Sequence, residues 1–248
     1  MKSKLINLEN TATIIVLAWP DTKVICEGKW YDRPMRWVGA IKDGYYNAGH
    51  AAFLLINNTS GDIQYFDFGR YHTPMKYGRV RSKLTDPDIE MKHKASINNG
   101  VITNLEEVLL ERYNNKACHG NGRLTAAIVK NINYEKAYNK VIQMQTREAI
   151  PYGPFELRGT TCSRLVAQTV LVSTKDWLTK LLIIFPYTVS ATPRSNNKVL
   201  NDCCHFYEID NGKIIMRKSK FHQIKKFFKI KKEESIKVNV NNLATEYI

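Results

Sequence analysis

Residues 160–166 read TTCSRLV, the stretch of this chain that most strongly indicates its fold. Apolar and β-branched residues recur after Cys162 at helical spacing, so the sequence predicts a helix that begins near this cysteine. Thr160 or Thr161 can cap that helix, which would put Cys162 in its first turn. The residues of the predicted helical face are Leu165, Val166, Thr169 and Val170.

A cysteine at this position suits nucleophilic chemistry. The reactive species is the thiolate, and the unpaired N–H groups and dipole of a helix N-terminus favour it. The backbone N–H of Cys162 would also lie where an oxyanion forms during attack on a carbonyl. A free cysteine that simply packs at the start of a helix is the structural alternative, so the chemistry depends on finding a base.

A histidine opens a predicted strand earlier in the chain. Residues 50–57 (HAAFLLIN) and 62–68 (DIQYFDF) flank the turn residues 58–61 (NTSG) and predict an antiparallel hairpin. An imidazole at the mouth of this strand can accept a thiol proton and later protonate a leaving group, so His50 is the predicted base. The second strand presents Tyr65 and Asp67 on one face to orient the ring. Asp67 is preferred because a carboxylate also stabilises the imidazolium.

The two segments together resemble a known family. Residues 151–153 (PYG) and 161–166 (TCSRLV) are similar to the active-site region of NlpC-type cell-wall peptidases, and 50–55 (HAAFLL) to their histidine strand. Thr161 and Arg164 depart from that family's aspartate and glycine. The histidine lies 112 positions before the cysteine. This order resembles that of the circularly permuted branch of the papain-like superfamily, which includes bacterial proteins and the lecithin–retinol acyltransferase-like proteins.

The resemblance implies a fold, an activity and further site residues. The fold would be α+β, with a papain-like antiparallel sheet packed against a few helices. The activity would be cysteine hydrolysis of an amide or peptide bond, with a lipid acyl hydrolase or transferase as the alternative. Tyr152 matches the family's tyrosine before the nucleophile and would serve the oxyanion site. Independently of the resemblance, the charge of Arg79 and Arg81, with Arg70, suits binding of an anionic substrate group near the site, and a solvated basic face is the alternative.

A second histidine is a competing base. His205 opens another predicted strand 43 residues after Cys162, the order of the unpermuted peptidases. No glycine precedes it, and the strand predicted after it, 213–217, has neither a histidine nor an acid. The sequence therefore favours His50 and leaves His205 as the alternative.

Length and charge bear on organisation and partners. A chain of 248 residues fits a single domain over 1–248, within which 71–150 has the character of an insertion. The formal charge of +14 favours anionic partners, and residues 213–232 hold nine Lys or Arg without an acid. This basic segment predicts contact with an anionic surface. A non-catalytic module that binds anionic lipid or nucleic acid is therefore the rival from another class.

The cysteine count is odd and the spacings are irregular, so we expect reduced thiols rather than a disulfide framework. Cys118-His119 and 203–205 (CCH) lack the spacing of a zinc site, and we expect no metal or organic cofactor. The run 14–19 is too short for a signal peptide, and other apolar runs are shorter still than a membrane span. The sequence thus predicts a soluble protein made in the cytoplasm.

Overall fold

An eight-stranded antiparallel sheet forms the centre of the molecule. The computed structural model describes residues 11–185, 190–202 and 205–218. Its strands are β1 (Ala12–Trp19), β2 (Val24–Ile25), β3 (Ile41–Lys42), β4 (Tyr45–Tyr46), β5 (His50–Asn57), β6 (Ile63–Gly69), β7 (Tyr77–Arg81), β8 (Ile97–Asn98), β9 (Val101–Ile102), β10 (Leu124–Ile132), β11 (Ile150–Pro151), β12 (His205–Asp210) and β13 (Lys213–Lys218). The order of strands in the eight-stranded sheet is β11-β7-β6-β5-β1-β10-β12-β13.

Helices cover both faces of this sheet. They are α1 (Asp32–Trp37), α2 (Leu105–Asn114), α3 (Tyr134–Gln145), α4 (Cys162–Ser173), α5 (Trp177–Ile184) and α6 (Pro193–Val199), with short 3₁₀ turns at Pro87–Ile89 and Lys116–Cys118. The predicted α+β class, an antiparallel sheet packed against a few helices, is confirmed.

Strand alternation divides the core into two layers. Odd residues of β5, such as Phe53, pack with α3 and α4, whereas even residues, such as Leu54, pack with α2 on the other face. β5 and β1 lie in the middle of the sheet, and every residue of β1 is buried. The helix α4 therefore packs against the buried centre of the sheet.

Several local predictions are confirmed. The β-branched and aliphatic run 11–19 predicts a strand, and it forms β1. The hairpin expected at 50–57 and 62–68 is formed by β5 and β6, and the strands predicted at His205 and at 213–217 form the hairpin of β12 and β13 around Asn211. Asn133 caps α3 by accepting a hydrogen bond from the Lys136 N–H. Asn104 precedes α2 as expected, but its side chain bonds to Ser96 and Lys94 instead of capping the helix.

Two predictions were wrong. The apolar residues of 37–41 predict a weak strand, but residues 32–37 form α1 and the following strand, β3, begins only at Ile41. The many Pro, Gly, Lys and Arg residues of 71–88 predict an irregular stretch, but it contains β7, which pairs with β6 inside the central sheet. The wider region 71–150 also supplies β10, which lies beside β1.

The basic segment 213–232 is described only in part. Residues 213–218 form β13 at the edge of the sheet, where they are mostly exposed. The remainder, with the apolar residues expected to lie between its lysines, is outside the described residues. In the part of the chain that the structure covers, no helix is long and apolar enough to cross a membrane.

Candidate active site

The helix α4 begins at Cys162, as the sequence predicts. Thr161 caps it, because its hydroxyl accepts the Arg164 N–H at 3.2 Å. Cys162 is 4% exposed, and its neighbour Ser163 is held through its carbonyl by the Asn196 amide of α6 at 2.9 Å. The thiol therefore lies at a helix N-terminus that is fixed by a cap and by a second helix.

His50 is the first residue of β5, at the end of the sheet beside this helix. Trp19, its partner in β1, stacks on the imidazole with ring centroids 5.7 Å apart. Gly49 has a φ of +74°, and a Cβ there would lie 2.9 Å from the Trp19 carbonyl oxygen. The glycine before the histidine thus allows the chain to enter the strand at this angle.

Cys162, His50 and Asp67 lie together as a candidate catalytic triad. Nε2 of His50 lies 3.3 Å from Oδ2 of Asp67, and the imidazole and the Cys162 thiol interact strongly enough to shift each other's pKa. The hairpin register places Asp67 opposite Ala52, the neighbour of His50 on the same face of β5, and so brings acid and base together.

The electrostatics favour a thiolate–imidazolium pair. Burial raises the pKa of the Cys162 thiol, but the hydrogen bond and charge of His50, the Ala51 N–H and the Ser163 hydroxyl outweigh it, so that this pKa is lowered. Burial lowers the pKa of His50, yet the hydrogen bond that His50 donates to Asp67 and its interaction with Cys162 raise it to about 9. Between these two pKa values the proton resides on nitrogen and sulfur is the nucleophilic anion.

Asp67 is completely buried and surrounded by donors. Arg81 binds both of its oxygens, with Nε 3.0 Å from Oδ1 and Nη2 2.6 Å from Oδ2, and the hydroxyls of Tyr65 and Tyr71 each donate to Oδ2 at 3.0 Å. Burial works against the carboxylate, but His50 and Arg81 hold the pKa of Asp67 well below its usual range. Asp67 is therefore ionised.

Arg79 and Arg81, predicted to bind an anionic substrate group, each have partners within the protein. Arg81 is 2% exposed and binds Asp67. Arg79 forms a two-pronged ion pair with Asp86 at 2.6 Å and also donates to the Tyr71 carbonyl. The pairing of β7 with β6 places Arg81 opposite Asp67 and Arg79 opposite Gly69.

Tyr152 lies where the sequence places it, beside the nucleophile. Its ring stacks on Phe68 with the centroids 5.4 Å apart, and its phenol interacts electrostatically with Cys162. Burial and the charge of Cys162 raise the pKa of this phenol well above 10, so that it stays protonated and remains a donor. It is suitably placed to donate to an oxyanion.

His205, the alternative base, is not at this site. It lies on β12, which β10 and β1 separate from β5, and its Nε2 is 3.1 Å from the Tyr207 hydroxyl. The structure thus brings His50 to Cys162 and leaves His205 at the far side of the sheet.

A cleft of about 780 Å³ opens beside Cys162 and Tyr152. One wall comes from residues 21–49, where β2, β4 and β3 form a small separate sheet next to α1. Apolar residues of the lining include Val24, Ile25, Tyr31, Met35 and Phe155. Charged residues of the lining include Glu27, Lys29, Asp32, Arg70 and Arg194.

The sequence did not identify Trp19, Tyr71 or the Ala51 N–H as parts of the site. Trp19 stacks on the base, Tyr71 binds the acid, and the Ala51 N–H lowers the pKa of the Cys162 thiol. A backbone donor leaves no sequence signal at all. Tyr71 follows β6 by two residues, which is a weak signal because it depends on how the chain turns after the strand.

Cys162 is expected to be the most reactive thiol of the chain. Burial raises the pKa of Cys118, and burial with the charge of Asp32 raises that of Cys26, whereas the pKa of Cys162 is lowered. Sub-stoichiometric iodoacetamide on the folded protein, followed by peptide mapping, should place most of the label on Cys162. A label mainly on Cys26 or Cys118 would contradict this assignment.

Among the described residues, no three His, Cys, Asp or Glu cluster as a metal site.

The fold and this cluster define a class: an α+β protein with a papain-like sheet, a cysteine at a helix N-terminus and a histidine on the facing strand. The sequence profile of the type VI secretion system effector TseH-like family matches residues 14–178, and the chain belongs to that family. The crystal structure of the type VI secretion system effector TseH superposes with a TM-score of 0.54 at 19% identity, over 84% of this chain and 99% of that one. No curated protein matches the chain.

Proposed function

We propose that this protein is a cysteine hydrolase that acts as a type VI secretion system effector and cleaves an amide bond, in particular one of cell-wall peptides. The observation that carries the proposal is the triad of Cys162, His50 and Asp67 beside an open cleft, in which His50 bonds to Asp67 and interacts electrostatically with Cys162. Membership of an effector family and the resemblance to cell-wall peptidases support the biological setting and the bond type.

In the first half of the reaction, the Cys162 thiolate attacks the carbonyl carbon of the scissile amide. The negative charge that develops on oxygen is stabilised by the backbone N–H of Cys162 at the helix N-terminus and by the Tyr152 hydroxyl. His50 then gives its proton to the leaving nitrogen, the C–N bond breaks, and an acyl-enzyme remains on sulfur.

In the second half, the neutral imidazole accepts a proton from water as the water attacks the thioester. Collapse of the second tetrahedral intermediate releases the acid and restores the thiolate–imidazolium pair. Asp67 keeps the ring oriented in both halves through its bond to Nε2.

An anionic substrate group would bind at Arg70 or Arg194, which line the cleft, instead of Arg79 and Arg81. Arg70 already pairs with Glu27 at 2.8 Å and lies over the Tyr152 ring, so it would need to exchange partners. Arg194 is exposed at the rim next to Pro193 and is the more accessible of the two. A carboxylate-bearing peptide remains the substrate class that we propose.

One observation favours a second candidate, acyl transfer or hydrolysis on a lipid. Tyr31 and Phe155 contact each other at 5.1 Å in the cleft wall, and Trp30, 73% exposed, contacts Phe155 at 5.9 Å. This aromatic surface suits an apolar chain as well as a peptide side chain.

Cell-wall peptide fragments and phospholipids, incubated separately with wild type and Cys162→Ala, decide between the candidates. We expect peptide cleavage that Cys162→Ala reduces by about 10³-fold or more, because nucleophile loss removes the covalent route. His205→Ala is the matched control and should cleave at the wild-type rate. Cysteine-dependent release of fatty acid without peptide cleavage would assign the lipid reaction. Inactivity on both substrates would favour the binding module.

A further inference from the structure

Arg81 is a buried charged residue at the candidate site, and the proposed reaction gives it no role. Its guanidinium is 2% exposed, lies over the Tyr71 ring with Cζ 3.5 Å from the centroid, and donates to the Ala117 carbonyl at 3.0 Å. Arg81 also donates one hydrogen bond to each of the two carboxylate oxygens of Asp67. Arginine in this two-pronged geometry fixes both the position and the plane of a carboxylate.

The distances around Asp67 show that His50 is its weakest partner. Oδ2 accepts from Arg81 at 2.6 Å, from Tyr65 and Tyr71 at 3.0 Å each, and from His50 at 3.3 Å. A carboxylate oxygen shared among four donors has less negative charge to offer each one. The arginine and the tyrosines therefore compete directly with the imidazole for this oxygen.

We propose that Arg81 is a positioning residue of the site, which orients Asp67 and offsets its charge so that Asp67 aligns His50 without binding its proton too tightly. This inference rests on the proposed function, since it concerns how readily the imidazolium gives its proton to a leaving group. A general acid works best when its pKa lies near the working pH. With the pKa of His50 already raised to about 9, stronger stabilisation of the imidazolium would slow the transfer.

Other charged and titratable groups around the pair do not take over this role. Cys162 faces His50 from α4 and stabilises the imidazolium. His119 stacks on Tyr71 at 5.3 Å, and burial together with Arg81 lowers its pKa, which keeps it neutral near pH 7. The groups that face Asp67 or His50 from the surrounding elements are Tyr65, Tyr71, Arg81, Cys118, His119 and Cys162.

The test is the titration midpoint of the His50 ring, followed by NMR and assigned among the six histidines by its loss in His50→Ala. In Arg81→Met, the midpoint should rise by about one pH unit or more, because the imidazolium becomes the main counter-ion of Asp67. Tyr71→Phe removes one neutral donor from Oδ2 and should raise the midpoint less. Arg79→Met, on the same strand but paired with Asp86, should leave it unchanged.

Two results would overturn the inference: an unchanged or lower midpoint in both Arg81→Met and Tyr71→Phe, or an equal rise in Arg79→Met. If Arg81→Met does not fold, Tyr71→Phe and Arg81→Lys decide, and Arg81→Lys should raise the midpoint less than one unit because it keeps the charge. The proposed function is judged separately, on Cys162-dependent product formation by the wild type. If the wild type forms no Cys162-dependent product, the titration midpoints of His50 can still be measured.

Discussion

His50→Ala is expected to slow alkylation of Cys162 at pH 6 by roughly 100-fold, since an ordinary thiol with a pKa of about 8.5 is only about 0.3% ionised there. In the wild type, the hydrogen bond and charge of His50 are the largest effects that lower the pKa of Cys162 against burial. Without them, burial makes the thiolate still less favourable. The rate of iodoacetamide labelling at Cys162, followed by mass from pH 5 to 10, measures the effect.

His205→Ala provides the matched control for this experiment. Its ring bonds to Tyr207 on β12 and makes no described contact with Cys162, so the variant should retain the wild-type rate at every pH. The opposite pattern, in which His205→Ala loses reactivity and His50→Ala retains it, would move the base to His205. Equal rates in all three proteins would mean that no imidazole activates this thiol.

The positions of Cys162 and His50 were predictable because each depends on local structure. A capping threonine and an apolar stripe determine where α4 begins, and Gly49 before an apolar run determines where β5 begins. Their proximity was inferred from a resemblance, since nothing local relates residues 112 positions apart. Asp67 followed from hairpin geometry, because β5 and β6 are joined by a short turn that sets their register.

The role of Arg81 was not predictable in the same way. The sequence around it, 71–88, is rich in Pro, Gly, Lys and Arg and has no alternation that marks a buried strand. The pairing of β7 with β6 places Arg81 directly opposite Asp67, where one buried ion pair satisfies both charges. Arg81, which would be expected at the surface from sequence alone, is therefore an internal partner of Asp67. Only the pairing of β7 with β6 in the folded protein distinguishes an internal from a surface arginine here.

At the cleft wall, β2 lies within the weak strand predicted at 23–26, whereas α1 and β4 were missed for a related reason. β2, β3 and β4 have two residues each, too few for a period of two to emerge. Asp32 at the start of α1 accepts from the Tyr46 hydroxyl and the Lys29 N–H, contacts that fasten the helix to β4 and to the preceding turn. Such side-chain ties between short elements decide the shape of the cleft and have no signature in hydrophobic pattern.

Breaking the Asp67–Arg81 pair is expected to have the largest effect on stability. Asp67→Leu and Arg81→Met should each lower the free energy of unfolding at pH 7 by about 3–5 kcal/mol, because each leaves the other charge buried without its counter-ion. The loss of unfolding free energy in the double variant should be smaller than the summed losses of the two single variants, by about 2 kcal/mol or more. Urea denaturation monitored by tryptophan fluorescence measures all four proteins in one series.

The neighbouring pair Arg79–Asp86 is the control for this cycle, because both side chains are partly exposed and the same strand carries them. Arg79→Met and Asp86→Ala should each cost about 1 kcal/mol or less. The pKa of Asp67 lies below its unfolded value, so the wild-type advantage over Asp67→Leu should hold above about pH 4 and decline as the pH falls further. Additive losses in the Asp67–Arg81 cycle, or an advantage that grows below pH 4, would show that these two charges are not coupled in the folded protein.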